Sequence, residues 1–200
     1  VVIGVMRDST VFIDANQNSV LDQNEESAKS NKQGAFFLPL PDEPENAALV
    51  AVGGTDTFTG NELPNLFLRA AIRGDATEHV AINTFSTLSS GLDEAGREEL
   101  DTLLGEPLPL DELTRQNIWE AALAGSELGE QSSRINMALG LMLLNIDALF
   151  AESVNKGDIA SSISESLIAT EKENLTELLS SEVAVRQVLE KTKVKGVSAE

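Results

Sequence analysis

Cysteine is absent from this 200-residue chain. Disulfides, thiolate metal sites and thiol nucleophiles are therefore excluded. Histidine occurs once, as His79, and no zinc-type ligand cluster can be assembled around it. Aromatic residues make up 4% of the chain against 42% apolar residues in all, so aliphatic side chains must fill any core. Basic residues are also scarce, 14 against 33 acidic ones for a net charge of −19. Such a field repels nucleic acid and anionic membranes and suits divalent cations. Long apolar runs are missing too. The most apolar stretch, "MALGLMLLNIDALF" (137–150), is short and is interrupted by Asn145 and Asp147, so no membrane insertion is expected. Proline does not occur after Pro109, which suits continuous helices. The chain opens "VVIGV" and reads as a piece of something longer, with neighbouring domains.

Two periodicities divide it. Over residues 1–84 short β-rich runs recur: "VVIGV", "TVFI", "AFFLPL" (35–40), "AALVAV" (47–52), "LFLRAAI" (66–72) and "HVAIN" (79–83). Gly, Pro, Asn and Asp clusters separate them, the pattern of a small antiparallel β-sandwich. Over residues 85–200 the period turns helical. "DEAGREELDTLLG" (93–105) opens on the N-cap Asp93 and stops at Gly105, and "LDELTRQNIWEAALAG" (110–125) opens on Asp111 and stops at Gly125. Residues 133–155 are apolar nearly all round and read as a central buried helix. Helices are also expected over 158–170, capped by Asp158, and over 173–192. The junction "TFSTLSSGL" (84–92) is expected to be a short helix docking one half on the other. The predicted fold class is thus α+β, a small antiparallel β-sandwich with a calcium loop (1–84) followed by an α-helical bundle (85–200).

The calcium loop is read from "DANQNSVLDQNE" (14–25). Counting from Asp14, side-chain oxygens fall at positions 1 (Asp14), 3 (Asn16), 5 (Asn18), 9 (Asp22) and 12 (Glu25), and Val20 at position 7 offers its carbonyl. This is the spacing of an EF-hand-type loop, which curls alternate residues inward round a hard ion that takes six to eight oxygens. Leu21 is expected to anchor the loop in the core. Position 6 departs, with Ser19 where the sharp turn wants Gly. A Ser held at positive φ costs about 1 kcal/mol. The flanks are β-like rather than helical, so the loop lies between strands and is no helix–loop–helix sensor. A dockerin reading fails as well, because dockerins pair two such loops and follow each with a helix. The alternative is a polar surface hairpin without metal, in which Asp14, Asp22 and Glu25 would repel one another.

The stretch "STVFIDANQNSVLDQNEESAKSNKQGAFFLPL" (9–40) resembles the calcium-binding B-type repeats of Gram-positive adhesins and the carboxypeptidase-regulatory (transthyretin-like) sandwiches. "VAVGGTDTFTGNELPNLFLRAA" (50–71), "VAINTFSTLSSGL" (80–92) and "LDELTRQNIWEAALAG" (110–125) are similar to segments of large bacterial calcium-dependent, RTX-type surface adhesins. The resemblance implies Asp14, Asn16, Asn18, Val20, Asp22 and Glu25 as ligands of Ca2+, and an extracellular, cell-surface setting. Ser19 for Gly and "KQG" (32–34) for an Asp-containing turn are departures from that pattern.

No catalytic constellation is present. His79 alternates with apolar neighbours, and "VGGTDTFTG" (52–60) lacks the lysine and spacing of a phosphate loop and reads as a hairpin turn. Asp56 within it is a candidate for a second calcium site. "RGD" (73–75) is short enough to recur by chance, and Trp119 reads as a core or interdomain contact. A non-enzymatic, secreted structural or adhesive module that meets a cell-surface or matrix ligand is expected. The alternative is an accessory or ligand-binding (carbohydrate or peptide) domain of a secreted hydrolase.

Overall fold

A computed structural model describes residues 4–39, 47–72, 80–105, 108–147, 156–170 and 178. His79, "RGD" (73–75) and the helix expected over 173–192, apart from Leu178, lie outside the described residues. The architecture is mixed α+β. Strands β2 (Thr10–Asp14), β3 (Ser27–Lys29), β4 (Ala48–Val52) and β6 (Phe67–Ala71) form an antiparallel sheet in the order β3-β2-β4-β6, and β1 (Met6–Arg7) pairs with β5 (Thr55–Asp56) in a two-stranded ribbon. Register sets Phe12 opposite Val50 and Val50 opposite Arg69, while Val11, Ala51 and Leu68 line up one residue away. Side chains alternate across a sheet. One face therefore carries Val11, Ile13, Leu49, Ala51, Leu68 and Ala70, and the other carries Phe12, Asp14, Val50, Phe67 and Arg69.

The first face packs against Val80 and Ile82, against Phe36 and Leu38, and against Leu143 and Leu144. The second buries a smaller cluster, Phe12, Val50 and Phe67. The expected strand at 35–40 takes no strand partner over its described residues 35–39. Phe36 and Leu38 turn to the core and Phe37 is 86% exposed. The run at 79–83 is likewise no strand over 80–83. Its Ala81 N–H is taken by the Thr114 carbonyl, and Asn83 becomes an N-cap.

Among the described residues six helices follow: α1 (Thr84–Ser89), α2 (Glu94–Leu104), α3 (Leu110–Leu113), α4 (Ile118–Leu123), α5 (Glu127–Asp147) and α6 (Lys156–Ile168). Asp93 caps α2 through the Gly96 N–H, and Gly105 ends it with φ 70°. The segment expected as one helix over 110–125 is two. Its break has a tertiary cause: Asn83 Nδ2 donates to the Leu113 carbonyl at 2.7 Å and Ala81 N–H to the Thr114 carbonyl at 3.2 Å. Those carbonyls are then supplied with donors from outside the helix, and Asn117 caps a fresh start at Ile118 by accepting the Glu120 N–H. Helix α5 begins before the expected residue 133, and Asp158 sits in the first turn of α6. The helical core gathers Phe85, Leu88, Leu100, Leu113, Ile135, Leu139, Ile163, Leu167 and Leu178.

Helix α1 docks on the sheet as its position at the junction predicts. Strand β6 is a sheet edge, and unpaired edge groups need partners. Thr87 Oγ1 accepts the Arg69 N–H at 2.9 Å, and Ser86 Oγ donates to the Arg69 carbonyl at 2.9 Å. Polar links continue the docking: Thr84 N–H and Oγ1 donate to Asn136 Oδ1 on α5, and Ser164 Oγ on α6 donates to the Leu88 carbonyl.

Helix α5 lies close against α4 at Gly129. A Cβ there would collide with the backbone of Ala121 and Ala122. In an open helix Gly→Ala gains up to about 1 kcal/mol. Here overpacking wins, and Gly129→Ala is expected to cost about 1–3 kcal/mol in denaturant unfolding.

Candidate metal centre

The loop 14–25 leaves β2 at Asp14 and returns to β3, with Ile13 N–H bonded to the Glu26 carbonyl at 3.1 Å across its neck. Its curl comes from two left-handed residues set two apart, Gln17 at φ 58° and Ser19 at φ 63°. The positive φ that position 6 demands is therefore present, carried by Ser19 rather than by Gly.

The side chains of Asp14, Asn16, Asn18 and Glu25 accept backbone N–H groups, and that of Asp22 accepts side-chain amides. Asp14 is fully buried, and its Oδ1 and Oδ2 accept from Asn18 N–H and Ser19 N–H, each at 3.0 Å. Asn16 Oδ1 accepts from Asn18 N–H and Asn18 Oδ1 from Val20 N–H, at 3.0 and 2.8 Å. Glu25 closes the ring. Its Oε1 accepts from Ala15 N–H and its Oε2 from Asp22 N–H, both at 3.0 Å. Asn16 Nδ2 and Asn18 Nδ2 both donate to Asp22 Oδ2, at 2.8 and 3.0 Å.

Five of the six sequence-predicted residues thus belong to one connected hydrogen-bond ring, and Val20 joins it through its N–H. The three carboxylates themselves are not drawn together. Among the described residues no group of three or more His, Cys, Asp or Glu side chains is placed to hold a metal ion. The repulsion expected between Asp14, Asp22 and Glu25 is met by N–H donors aimed at each of them. The donor set still suits calcium in kind, since it offers three carboxylates, two amide oxygens and a carbonyl. An oxygen that accepts one N–H keeps a second lone pair. To bind an ion, Asp22 would exchange its two amide donors for the cation.

Leu21 differs from expectation. It is 41% exposed, and Val20 is 59% exposed. Phe12, Val50 and Phe67 form the buried apolar cluster of the sheet face beneath, and Leu21 does not join it. What holds the loop down is polar instead: Arg69 Nη2 donates to Gln17 Oε1 at 3.0 Å. Arg69 is 6% exposed, and its Nε has no hydrogen-bond partner. Burial lowers its pKa, opposed by the Asp14 carboxylate and by Asp158 on α6. The sequence signal for it was present in "LFLRAAI", a charge inside an apolar strand, which is rarely buried without a partner.

Two further positions have local explanations. Asp56 is fully buried; its Oδ2 accepts Gly4 N–H and its Oδ1 accepts Phe58 and Thr59 N–H, which accounts for its burial in a turn without a cation. At "NKQG" (31–34) the side chain of Asn31 accepts Gln33 and Ala35 N–H, the work expected of an Asp, and Gly34 takes φ 74°. Trp119 meets Phe58 edge-on with ring centroids 5.2 Å apart, a contact between α4 and the β5 turn.

A second concave feature lies between the first sheet face and α3–α4. It is a cleft of about 540 Å³ with Val11, Leu49 and Leu68 in its floor and Gln116, Asn117 and Trp119 along its wall. No helix among the described residues is long and apolar enough to cross a membrane. No family model, curated protein or solved structure matches the chain.

Glu25 clasps the two ends of the loop through its two acceptor oxygens. Glu25→Ala should lower the unfolding free energy in chelator by about 1–2 kcal/mol. The drop should coincide with loss of hydrogen-exchange protection at the Ala15 and Asp22 amides.

Proposed function

We propose that this chain is a non-catalytic, calcium-stabilised structural or adhesive module of a large bacterial surface or secreted protein. In this reading the β half is a small antiparallel sandwich whose loop binds Ca2+ through Asp14, Asn16, Asn18, the Val20 carbonyl, Asp22 and Glu25. The observation that supports it most is the left-handed φ at Ser19. A Ser adopts that conformation at a cost of about 1 kcal/mol or more, and the compensation is a ring of inward-facing oxygens at calcium-loop spacing. The ion would supply positive charge among three carboxylates and lock the loop. This chain's residues would position the oxygens and exclude water on the Asp14 side. The excess of acidic residues fits an extracellular setting rich in divalent cations.

A second reading is favoured by the cleft. Its volume falls in the range of small-ligand sites, and Trp119 and Asn117 offer a flat apolar surface beside an amide. This suits an accessory carbohydrate- or peptide-binding domain of a secreted hydrolase. Trp119 is the sole tryptophan, so its fluorescence reports on the cleft directly. Saturable quenching or a blue shift with an oligosaccharide or peptide would move the assignment to this reading, and a flat titration would leave the first in place.

Calcium is expected to raise the melting temperature and chelator to lower it. At calcium about 100 times the Kd the gain is about 2.7 kcal/mol, with a Kd of about 0.1–1 mM, as in other extracellular modules. Asp14→Ala should abolish most of this response. An unchanged response in that variant would put the ion elsewhere in the chain.

A further inference from the structure

Arg69 is not a ligand and lies in no expected site, yet it is the one described buried side chain with an orphaned polar nitrogen. It stands on the same sheet face as Asp14 and holds Gln17, which lies between two of the loop's oxygen-bearing residues. Its backbone is fixed from the other side by Thr87 and Ser86 of α1, which places its side chain at this point of the sheet edge. We infer that Arg69 is the loop's resident counter-cation: it holds the Asp14–Ser19 turn closed when no ion is bound, and it opposes the charge of a divalent ion and so weakens the loop's affinity for calcium. This rests on the calcium reading above and adds to it what sets the affinity.

The physics is a competition between charges. A buried carboxylate needs a positive partner nearby. Arg69 supplies positive charge on the same sheet face, bonded to Gln17 rather than paired directly with Asp14, and a guanidinium stays charged. A doubly charged ion entering the same loop is repelled by it through a medium that screens poorly. A loop so built stays folded at low calcium and fills only at high calcium.

The test is calcium affinity by titration calorimetry on the full chain, with folding followed by circular dichroism. Arg69→Met keeps the aliphatic bulk and removes the charge, and it should tighten binding at least about tenfold. If the parent binds calcium and Arg69→Met binds no more tightly, the inference is overturned while the calcium reading stands. If neither binds, both fall. If only Arg69→Met binds, the inference holds and the parent's calcium site does not. Should Arg69→Met not fold, Gln17→Glu places a carboxylate against Nη2. That variant should tighten binding more than Ala15→Glu, which adds the same charge at an exposed loop position without the Arg69 contact; equal effects overturn the inference.

Discussion

Burying the Asp14 carboxylate is the constraint from which the β half is organised. The residue ends a central strand with no exposure to water, and an ionised group in that position is expensive unless its oxygens are satisfied. Satisfaction comes from two successive N–H groups, those of Asn18 and Ser19. Presenting them requires the chain to double back within five residues, which the left-handed conformations at Gln17 and Ser19 achieve. The doubled chain lays Gln17 within reach of Arg69. Strain at two residues, a closed loop and a buried arginine bonded to it are thus one arrangement rather than three features.

The same economy joins sheet to helices. With few aromatic rings, the chain uses hydroxyls and amides where another protein would use larger apolar contacts. Thr87 and Ser86 occupy the free edge of β6, Asn83 holds the end of α3, Asn136 receives Thr84, and Ser164 reaches Leu88. Each is a buried bond with both partners specified, and losing one partner leaves the other unsatisfied, which costs more than the bond itself contributes. Specificity of docking follows from that asymmetry. Arg69 sits at the crossing of these two systems, since its backbone belongs to the α1 joint and its side chain to the loop.

What could be read in the sequence was what is determined locally. The cap at Asp93 and the stop at Gly105 need only neighbours within one turn, and both are where the residues place them. The β-rich runs at 10–13, 47–52 and 66–72 announce themselves, and strands form there at Thr10–Asp14, Ala48–Val52 and Phe67–Ala71; the oxygen rhythm of 14–25 is likewise a local pattern. Elements decided at a distance were opaque. "AFFLPL" has strand composition but its described part lies against a sheet face without joining a ladder. "SAK" and "TD" lack β-branched residues apart from Thr55, and become β3 and β5 because their partners Val11 and Met6 stand opposite. The break between α3 and α4 is made by Asn83 and Ala81, some thirty residues earlier. Leu21 read as an anchor because the loop pattern allots it that role, whereas Arg69, from a different strand, performs it.

Net charge sharpens what calcium means for this molecule. Ion pairs such as Arg7–Asp8 at 3.9 Å and Arg97–Asp111 at 2.7 Å involve an exposed carboxylate and contribute little. They leave a strong negative field that any salt will screen, over about 10 Å at 0.1 M. Screening of this kind stabilises the whole compact state without preference for the ion. A calcium site in the loop, as proposed, would differ in two respects: it would discriminate calcium from sodium at equal ionic strength, and its effect would disappear with a single carboxylate. On the proposed reading the acidic surface and the loop would make separable contributions, the first general and the second confined to Asp14 and its ring. Only the second would be opposed by Arg69, because exposed carboxylates lie in high dielectric while the guanidinium acts through the protein interior.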